Sequence, residues 1–336
     1  MAKKVTLKTI GDALGISAVS VFKALSDKEG VSERMRETIR QKADELGYVY
    51  KRNQTKKTAE PKHNIGVLIA SRYISENAFY SQMNTCILQE TNLHNDTCIM
   101  EILSEENERM LISPNMVSDS SVDGMIILGQ LSSAYIEMLR SCPVPYIFMD
   151  FYSANHDIDS VVSDNVYGSY LLTSYLIKNG CRKIAFVGSI KATSSICDRY
   201  LGYLRALIEN DIPVNPKYLI EDREESGRYI PLIIPKDTPD AFVCNCDNIA
   251  CILINQLKEL GYELPDDIAV VGYDDHLYSG LCTPQLTTIR VDMKEMVHQA
   301  YKMISAKISD PAIHFGRRVV NGKLIIRDSV KCRTRE

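Results

Sequence analysis

Between residues 65 and 272, short apolar runs at 65–70, 98–103, 125–128, 146–149, 184–187, 241–244 and 268–272 alternate with helical stretches such as 79–93, 166–179 and 248–260. Strand alternating with helix means parallel strands joined by crossover helices, because parallel neighbours cannot be linked by a tight hairpin. One sheet holding all these strands would be unusually wide. Two sheets facing across a cleft solve the problem, and they put ligand groups on loops at the carboxyl ends of the strands. The chain of 336 residues is long enough for about two domains, each with its own core.

Residues 5–47 read differently, as three short helices with almost no strand signal. Thr6 can cap a first helix in which Leu7, Ile10, Ala13 and Leu14 form one apolar stripe, and Gly15 permits a tight turn after it. Ser17 can cap a second helix running to about Leu25, with Val21, Ala24 and Leu25 inward. Ser32 can cap a third, where Met35, Ile39, Ala43 and Leu46 keep the spacing until Gly47. Two short helices joined through a glycine turn and followed by a third make a helix-turn-helix, although any small three-helix bundle shows this periodicity.

Charge separates the same two regions. Residues 1–60 hold 13 Lys and Arg against 8 Asp and Glu, a net +5, whereas the remainder holds 26 against 35, a net −9. A basic module on an acidic body is the pattern expected when nucleic-acid binding is confined to one end. No apolar run approaches the ~20 residues needed to span a bilayer, and the start shows neither a signal peptide nor a lipid anchor, so a cytoplasmic protein without membrane contact is expected. The ten cysteines lack paired C-x-x-C units and are expected to be mostly buried small hydrophobes, with no need of disulfides.

The stretch Val5–Ser17, from Val5-Thr6-Leu7 to Gly15-Ile16-Ser17, and the later Val31-Ser32 through Leu46-Gly47-Tyr48 resemble the N-terminal signature of the LacI/GalR family of bacterial transcription regulators. The likeness continues through Asp164-Asn165 with Gly168, Gly180 followed by Arg182–Gly188, and Arg199 three before Gly202. It runs on through Pro239-Asp240-Ala241, Asp247, Val271–Asp275, Pro284 with Leu286-Thr287-Thr288, and Arg327-Asp328-Ser329. The resemblance implies an α/β chain: an N-terminal helix-turn-helix DNA-binding domain (1–48), a hinge (49–62) and a periplasmic-binding-protein-like body (63–336). Two parallel-sheet subdomains joined by three crossings are implied for that body, roughly 63–161 with 290–320, and 162–289 with 321–330.

The resemblance also assigns residues. Base reading falls to Ala18, Val19 and Phe22, with Lys23 where many members have arginine, and Thr6, Ser17 and Ser20 contact phosphates or cap helices. Phe22 stands where a serine is common, which favours a thymine methyl over a hydrogen-bonded base edge, unless it packs in the small core instead. After Tyr48 the chain departs from the family: the hinge leucine that wedges into the minor groove is missing. Lys51, Arg52, Lys56 and Lys57 remain to bind phosphate, or the stretch is a charged linker, and less bending of the operator is expected.

In the body the resemblance points to Phe79, Tyr80, Asp150, Asp164, Arg199, Cys246 and Asp274 as effector ligands, with Asp150 and Arg199 foremost. Aspartate and arginine each take two hydroxyls of a sugar while an aromatic covers its C–H face, but any one of them could equally cap a loop or form an ion pair. Asp222 lies where many members place a stacking aromatic and Cys246 where some have asparagine, so an unusual effector is expected. Thr193 replaces an arginine of purine-responsive members, which argues against a purine corepressor.

No catalytic chemistry is legible. Cys244, Cys246 and His276 lack a second paired set for a metal, the adjacent pairs Asp274-Asp275 and Asp266-Asp267 point their carboxylates apart, and no P-loop or G-x-G-x-x-G is present, so no metal or cofactor is expected. The expected protein is a homodimeric, non-enzymatic repressor that binds a near-palindromic operator and is released by a small carbohydrate effector. The competing readings are a regulator whose corepressor is a phosphorylated carrier protein, and a sugar-binding module without regulatory activity.

Overall fold

Three side-chain caps set the N-terminal helices in a computed structural model of the chain, which describes residues 5–26, 28–46, 48, 62–74, 78–153, 158–224 and 227–331. The chain divides into two compact units, Met1–Lys62 and His63–Glu336. In the first, Thr6, Ser17 and Ser32 accept from the backbone N–H three residues on and start α1 (Leu7–Leu14), α2 (Ala18–Leu25) and α3 (Glu33–Glu45). Ile10, Val21, Ala24, Leu25, Ile39 and Ala43 form the core.

Two expectations for this core are corrected. Ala13 is exposed and Gly11 is buried in its place, because a Cβ at Gly11 would stand 2.6 Å from the Ile16 carbonyl oxygen, so only glycine lets α1 approach the turn so closely. Met35 is exposed and Arg36 is buried. Arg36 Nη1 donates to the carbonyls of Lys23 (3.3 Å) and Ala24 (3.2 Å), and Nη2 to those of Lys28 (3.1 Å) and Val31 (3.4 Å). It thus satisfies carbonyls that the end of α2 leaves open, a polar duty that apolar periodicity does not reveal. The hinge, with Lys51, Arg52, Lys56 and Lys57, and the helix-stopping Gly47 lie outside the described residues.

The second unit begins with β1 (Asn64–Ala70), α4 (Ala78–Leu93), β2 (Thr97–Leu103), α5 (Glu105–Arg109), α6 (Asn115–Ser118), β3 (Gly124–Leu128), α7 (Ser133–Leu139), β4 (Tyr146–Met149) and β5 (Ser160–Ser163). It continues through α8 (Asn165–Lys178), β6 (Ile184–Val187), α9 (Ser194–Glu209), β7 (Leu219–Ile220), β8 (Ala241–Cys244), α10 (Asp247–Glu259) and β9 (Ala269–Val271). The return comprises α11 (Leu277–Leu281), β10 (Thr288–Arg290), α12 (Met293–Ser309), β11 (Arg317–Val320) and β12 (Lys323–Ile325).

Two parallel sheets result, in the orders β11-β5-β4-β3-β1-β2 and β7-β6-β8-β9, and β10 pairs antiparallel with β12. The inner strands of each sheet are apolar on both faces, as buried parallel strands must be: Ile65, Val67 and Ile69 of β1 enter one core while Leu68 and Ala70 enter another. The chain passes between the two sheet regions three times, at Asp164, between β10 and α12, and between β11 and β12. The expected apolar runs are all strands. Five short strands, β5, β7, β10, β11 and β12, lay outside the expected runs.

Candidate functional site

In the helical head, α2 turns one face outward. Val19 is 62% and Phe22 44% exposed, so Phe22 is not core packing, and the Lys28 ammonium sits 5.0 Å from the centre of its ring. Ala18 and Lys23 are half-buried beside them. The hydroxyls assigned to phosphate are engaged locally: Thr6 and Thr9 cap each other reciprocally, and Ser17 Oγ accepts from the Ser20 N–H (3.1 Å) and bonds the Ser20 Oγ (2.9 Å). Their caps hold the N-termini of α1 and α2 in place.

In the body, the strands of both sheets end at one cleft. A cavity of about 510 Å³ opens onto an inner pocket of about 50 Å³, and Tyr73, Thr193, Arg223 and Tyr229 line both. Phe79, Tyr80, Asp150, Arg199, Cys246 and Asp274, six of the seven expected residues, meet in the inner pocket. Asp150 follows β4, Cys246 follows β8 and Asp274 follows β9, each supplied by the carboxyl end of a strand. Asp150 and Asp274 both have positive φ (68° and 109°), so their carboxylates are aimed by backbone the chain adopts at some cost.

Arg199 stands on the first turns of α9 and is wholly engaged in the pocket wall. Its Nε donates to Asn165 Oδ1 (2.8 Å), Nη1 to the Asn245 carbonyl, Nη2 faces Asp274 Oδ1 (3.4 Å), and the guanidinium lies 3.8 Å from the centre of the Tyr273 ring. Asp150 Oδ2 accepts from the Tyr80 hydroxyl (2.8 Å), while Oδ1 is buried without a hydrogen-bond partner. A buried acceptor left open in a cavity is where a ligand donor belongs.

Burial pushes the Asp274 carboxyl up to about 7, against the pull of Arg199, and Asp150 is raised for the same reason. A carboxyl whose value is higher in the folded than in the unfolded chain takes up a proton on folding. Stability therefore falls as pH rises from about 4, where the unfolded group ionises, through about 7. Asp222 is held low by the charge and hydrogen bonds of Arg223, which outweigh its burial, so its stabilisation is lost only as acid protonates it. Thermal unfolding between pH 4 and 7.5 should show a shallower decline for Asp274→Asn than for the unaltered protein; equal slopes would refute the raised carboxyl.

Asp164 is corrected. It does not line the pocket; its Oδ1 accepts from Tyr167 N–H (3.0 Å) and caps α8 where the chain first crosses between sheets. Asp222 is buried: it accepts from Ser189 N–H (2.8 Å) and Asn245 Nδ2 (2.8 Å) and pairs with Arg223 (2.7 Å), while Tyr229 and Tyr73 bring aromatic rings to the cavity. Arg72, which holds Glu108 and the Gln130 carbonyl, lines the outer cavity and was likewise not foreseen. Thr193 caps α9 and bonds Ser195 Oγ (3.0 Å). Cys251 and Cys282 form a disulfide, although none was expected to be needed.

No helix among the described residues is long and apolar enough to cross a membrane. The periplasmic binding protein-like domain family matches residues 173–330. The transcriptional repressor PurR of Vibrio vulnificus is 26% identical over 334 residues, covering 97% of this chain and 98% of its own. The probable transcriptional repressor ExuR of Bacillus subtilis is 26% identical over 339 residues with the same coverage. Among solved structures, the regulator CelR in complex with cellobiose superposes with a TM-score of 0.70 at 20% identity, covering 97% of this chain and 99% of that one. The lac repressor dimer bound to operator and an anti-inducer gives 0.67 at 22% identity, covering 98% and 100%. Helical head, two-sheet body and full-length likeness to transcriptional repressors agree with the motifs read along the chain, and the protein is similar over nearly its whole length to DNA-binding repressors of the LacI/GalR type.

Proposed function

We propose that this regulator is a cytoplasmic homodimeric repressor of carbohydrate-utilisation genes that leaves a near-palindromic operator when a neutral, polyhydroxylated effector enters the cleft. The observation that carries the effector class is Asp150 Oδ1, a buried acceptor with no donor, beside an arginine already engaged by Asn165, Asn245 and Asp274. Hydroxyls supply the missing donors. The solved relative that holds cellobiose supports a sugar, and an outer cavity of about 510 Å³ is within the usual range for a small-molecule site. The edge strand β2 supports the dimer, because Met100 (40% exposed) and Ile102 (52% exposed) leave an apolar strip on an unpaired edge.

Thermal unfolding against mono- and disaccharides, sugar phosphates and nucleobases tests the effector. A ligand at 100 times its dissociation constant adds about 2.7 kcal/mol and raises the midpoint by several degrees. The shift should come from neutral sugars and disappear in Asp150→Ala; a shift from nucleobases alone, or one that survives the substitution, would sink the reading. Because hydrogen bonds from hydroxyls favour ionised carboxylates, affinity should rise as pH rises through about 7, where Asp274 loses its proton.

The exposed Phe22 gives the operator reading its own test. In the sequence selected from random duplexes, replacing the thymine it meets by uracil removes one methyl. This should cost about 0.8 kcal/mol, roughly fourfold in affinity. Phe22→Ser should abolish the difference. Equal affinity of the unaltered protein for every thymine and uracil form would assign Phe22 elsewhere.

A further inference from the structure

Two elements leave the cleft side by side. Cys246, which lines the inner pocket, immediately precedes α10, and Asp274, which lines it as well, lies three residues before α11. Beyond the pocket, Cys251 on α10 is bonded to Cys282, the residue that closes α11, with their Cα atoms 5.8 Å apart. This is the only disulfide among the described residues. The apolar anchoring of α11 is slight: it buries only Ser279, while Leu277 and Leu281 are 61% and 67% exposed. Its other ties include His276 N–H to Asp247 Oδ2 (2.9 Å), Ser279 Oγ to Asp275 Oδ1 (3.2 Å) and Leu286 N–H to the Ser279 carbonyl (2.9 Å), and Cys282 at its end is buried in the apolar cluster of the second sheet.

We propose that Cys251 and Cys282 form a reversible thiol–disulfide site, oxidised by a low-molecular-weight disulfide of the glutathione class, which when closed holds α11 against α10 and fixes Asp274 relative to Cys246. In a reducing compartment such a pair is a link made and broken on demand and not a permanent staple. The half-buried Cys251 thiolate attacks a sulfur of the small disulfide, forming a mixed disulfide and releasing one thiolate. Cys282, buried at 5% exposure, then attacks the Cys251 sulfur and expels the second. Two protein thiols are oxidised, one disulfide is reduced to two thiols, and the two protons pass to the leaving thiolates. Cys246 does not compete, since burial pushes its thiol up to about 12.

The consequence for an effector rests on the cleft being the ligand site; the redox chemistry does not, and both can be read without any ligand. The reduced full-length protein is equilibrated in reduced and oxidised glutathione at graded ratios, alkylated, mapped by mass spectrometry, and followed by hydrogen exchange. The expected result is a linked pair of peptides carrying Cys251 and Cys282, two hydrogens lighter, with amides of 274–286 and 246–250 exchanging roughly tenfold more slowly in the oxidised form. Cys251→Ser and Cys282→Ser should each stay at the reduced rate at every ratio. Alkylation of both thiols at all ratios would overturn the site, as would slowing in either variant. Linkage that slows only 277–286, leaving 246–250 and 274–276 unchanged, would overturn the coupling to the cleft.

Discussion

Arg199→Met lowers the stability of the body by about 3–5 kcal/mol, because it strands a buried carboxylate and two oxygen acceptors at once. The side chain lost is 6% exposed and serves Asp274, Asn165 Oδ1 and the Asn245 carbonyl together. For a chain this long the midpoint of thermal unfolding should fall by about 10 °C. Two further results separate this cause from simple loss of packing. Arg199→Met with Asp274→Asn should regain much of the loss, since the uncompensated charge is gone. The single variant should also suffer less below pH 7 than above it, because the Asp274 carboxyl, raised by burial to about 7 even beside Arg199, becomes neutral there. A loss under 1 kcal/mol, or a double variant no better than the single, would show that the ion pair does not organise the cleft.

Gly202→Ala should be nearly as damaging without removing any polar group. A Cβ at this position on α9 would lie 2.1 Å from the Val166 carbonyl oxygen and 2.9 Å from the Tyr170 nitrogen, both backbone atoms of α8. A side chain in the way could rotate, but a helix backbone cannot, so the cost lies near the upper end of overpacking, about 3 kcal/mol. The functional effect follows from position. Arg199 is one turn before Gly202, and its Asn165 partner adjoins Val166, so helices forced apart should break the Arg199–Asn165 bond and abolish any effector-induced thermal shift. Gly280→Ala on α11, with nothing within 4 Å of the new Cβ, is the control and should be close to neutral. If both changes cost the same, helix approach is not what fixes Arg199.

The parts of the fold legible in the sequence are those governed by local chemistry. Thr6, Ser17 and Ser32 announce their helices because a hydroxyl at the N-cap is satisfied within three residues. Runs such as 65–70 and 241–244 announce strands covered on both faces. What escaped depends on partners distant in sequence. β11, Arg317–Val320, has three exposed residues of four and is a strand only because β5 lies beside it. Arg36 reads as a surface charge until the carbonyls of α2 and the following loop are set around it.

The cleft divides along the same line. Asp150, Arg199 and Asp274 were readable through the motifs around them, whereas Arg223 and Tyr229 enter through a loop whose path no periodicity describes. Asp164 was misplaced because an aspartate before a helix suits a cap as well as a ligand, and here the cap holds it. Cys251 and Cys282 are 31 residues apart, and only the packing of α10 against α11 brings their sulfurs together.

The triple passage between sheets also constrains how the protein can be made. The first sheet receives its outer strand β11, and α12 packs against its β3, β4 and β5, only after the chain has been through the second sheet and back. The second sheet closes with β9, at Val271. During synthesis the later half can therefore assemble first, while β3, β4 and β5 wait with one face uncovered until about residue 320 has left the ribosome. A nascent chain with residues up to about 290 outside the ribosome would hold a formed second sheet and an incomplete first one, whose uncovered apolar face stays prone to stick until α12 and β11 follow.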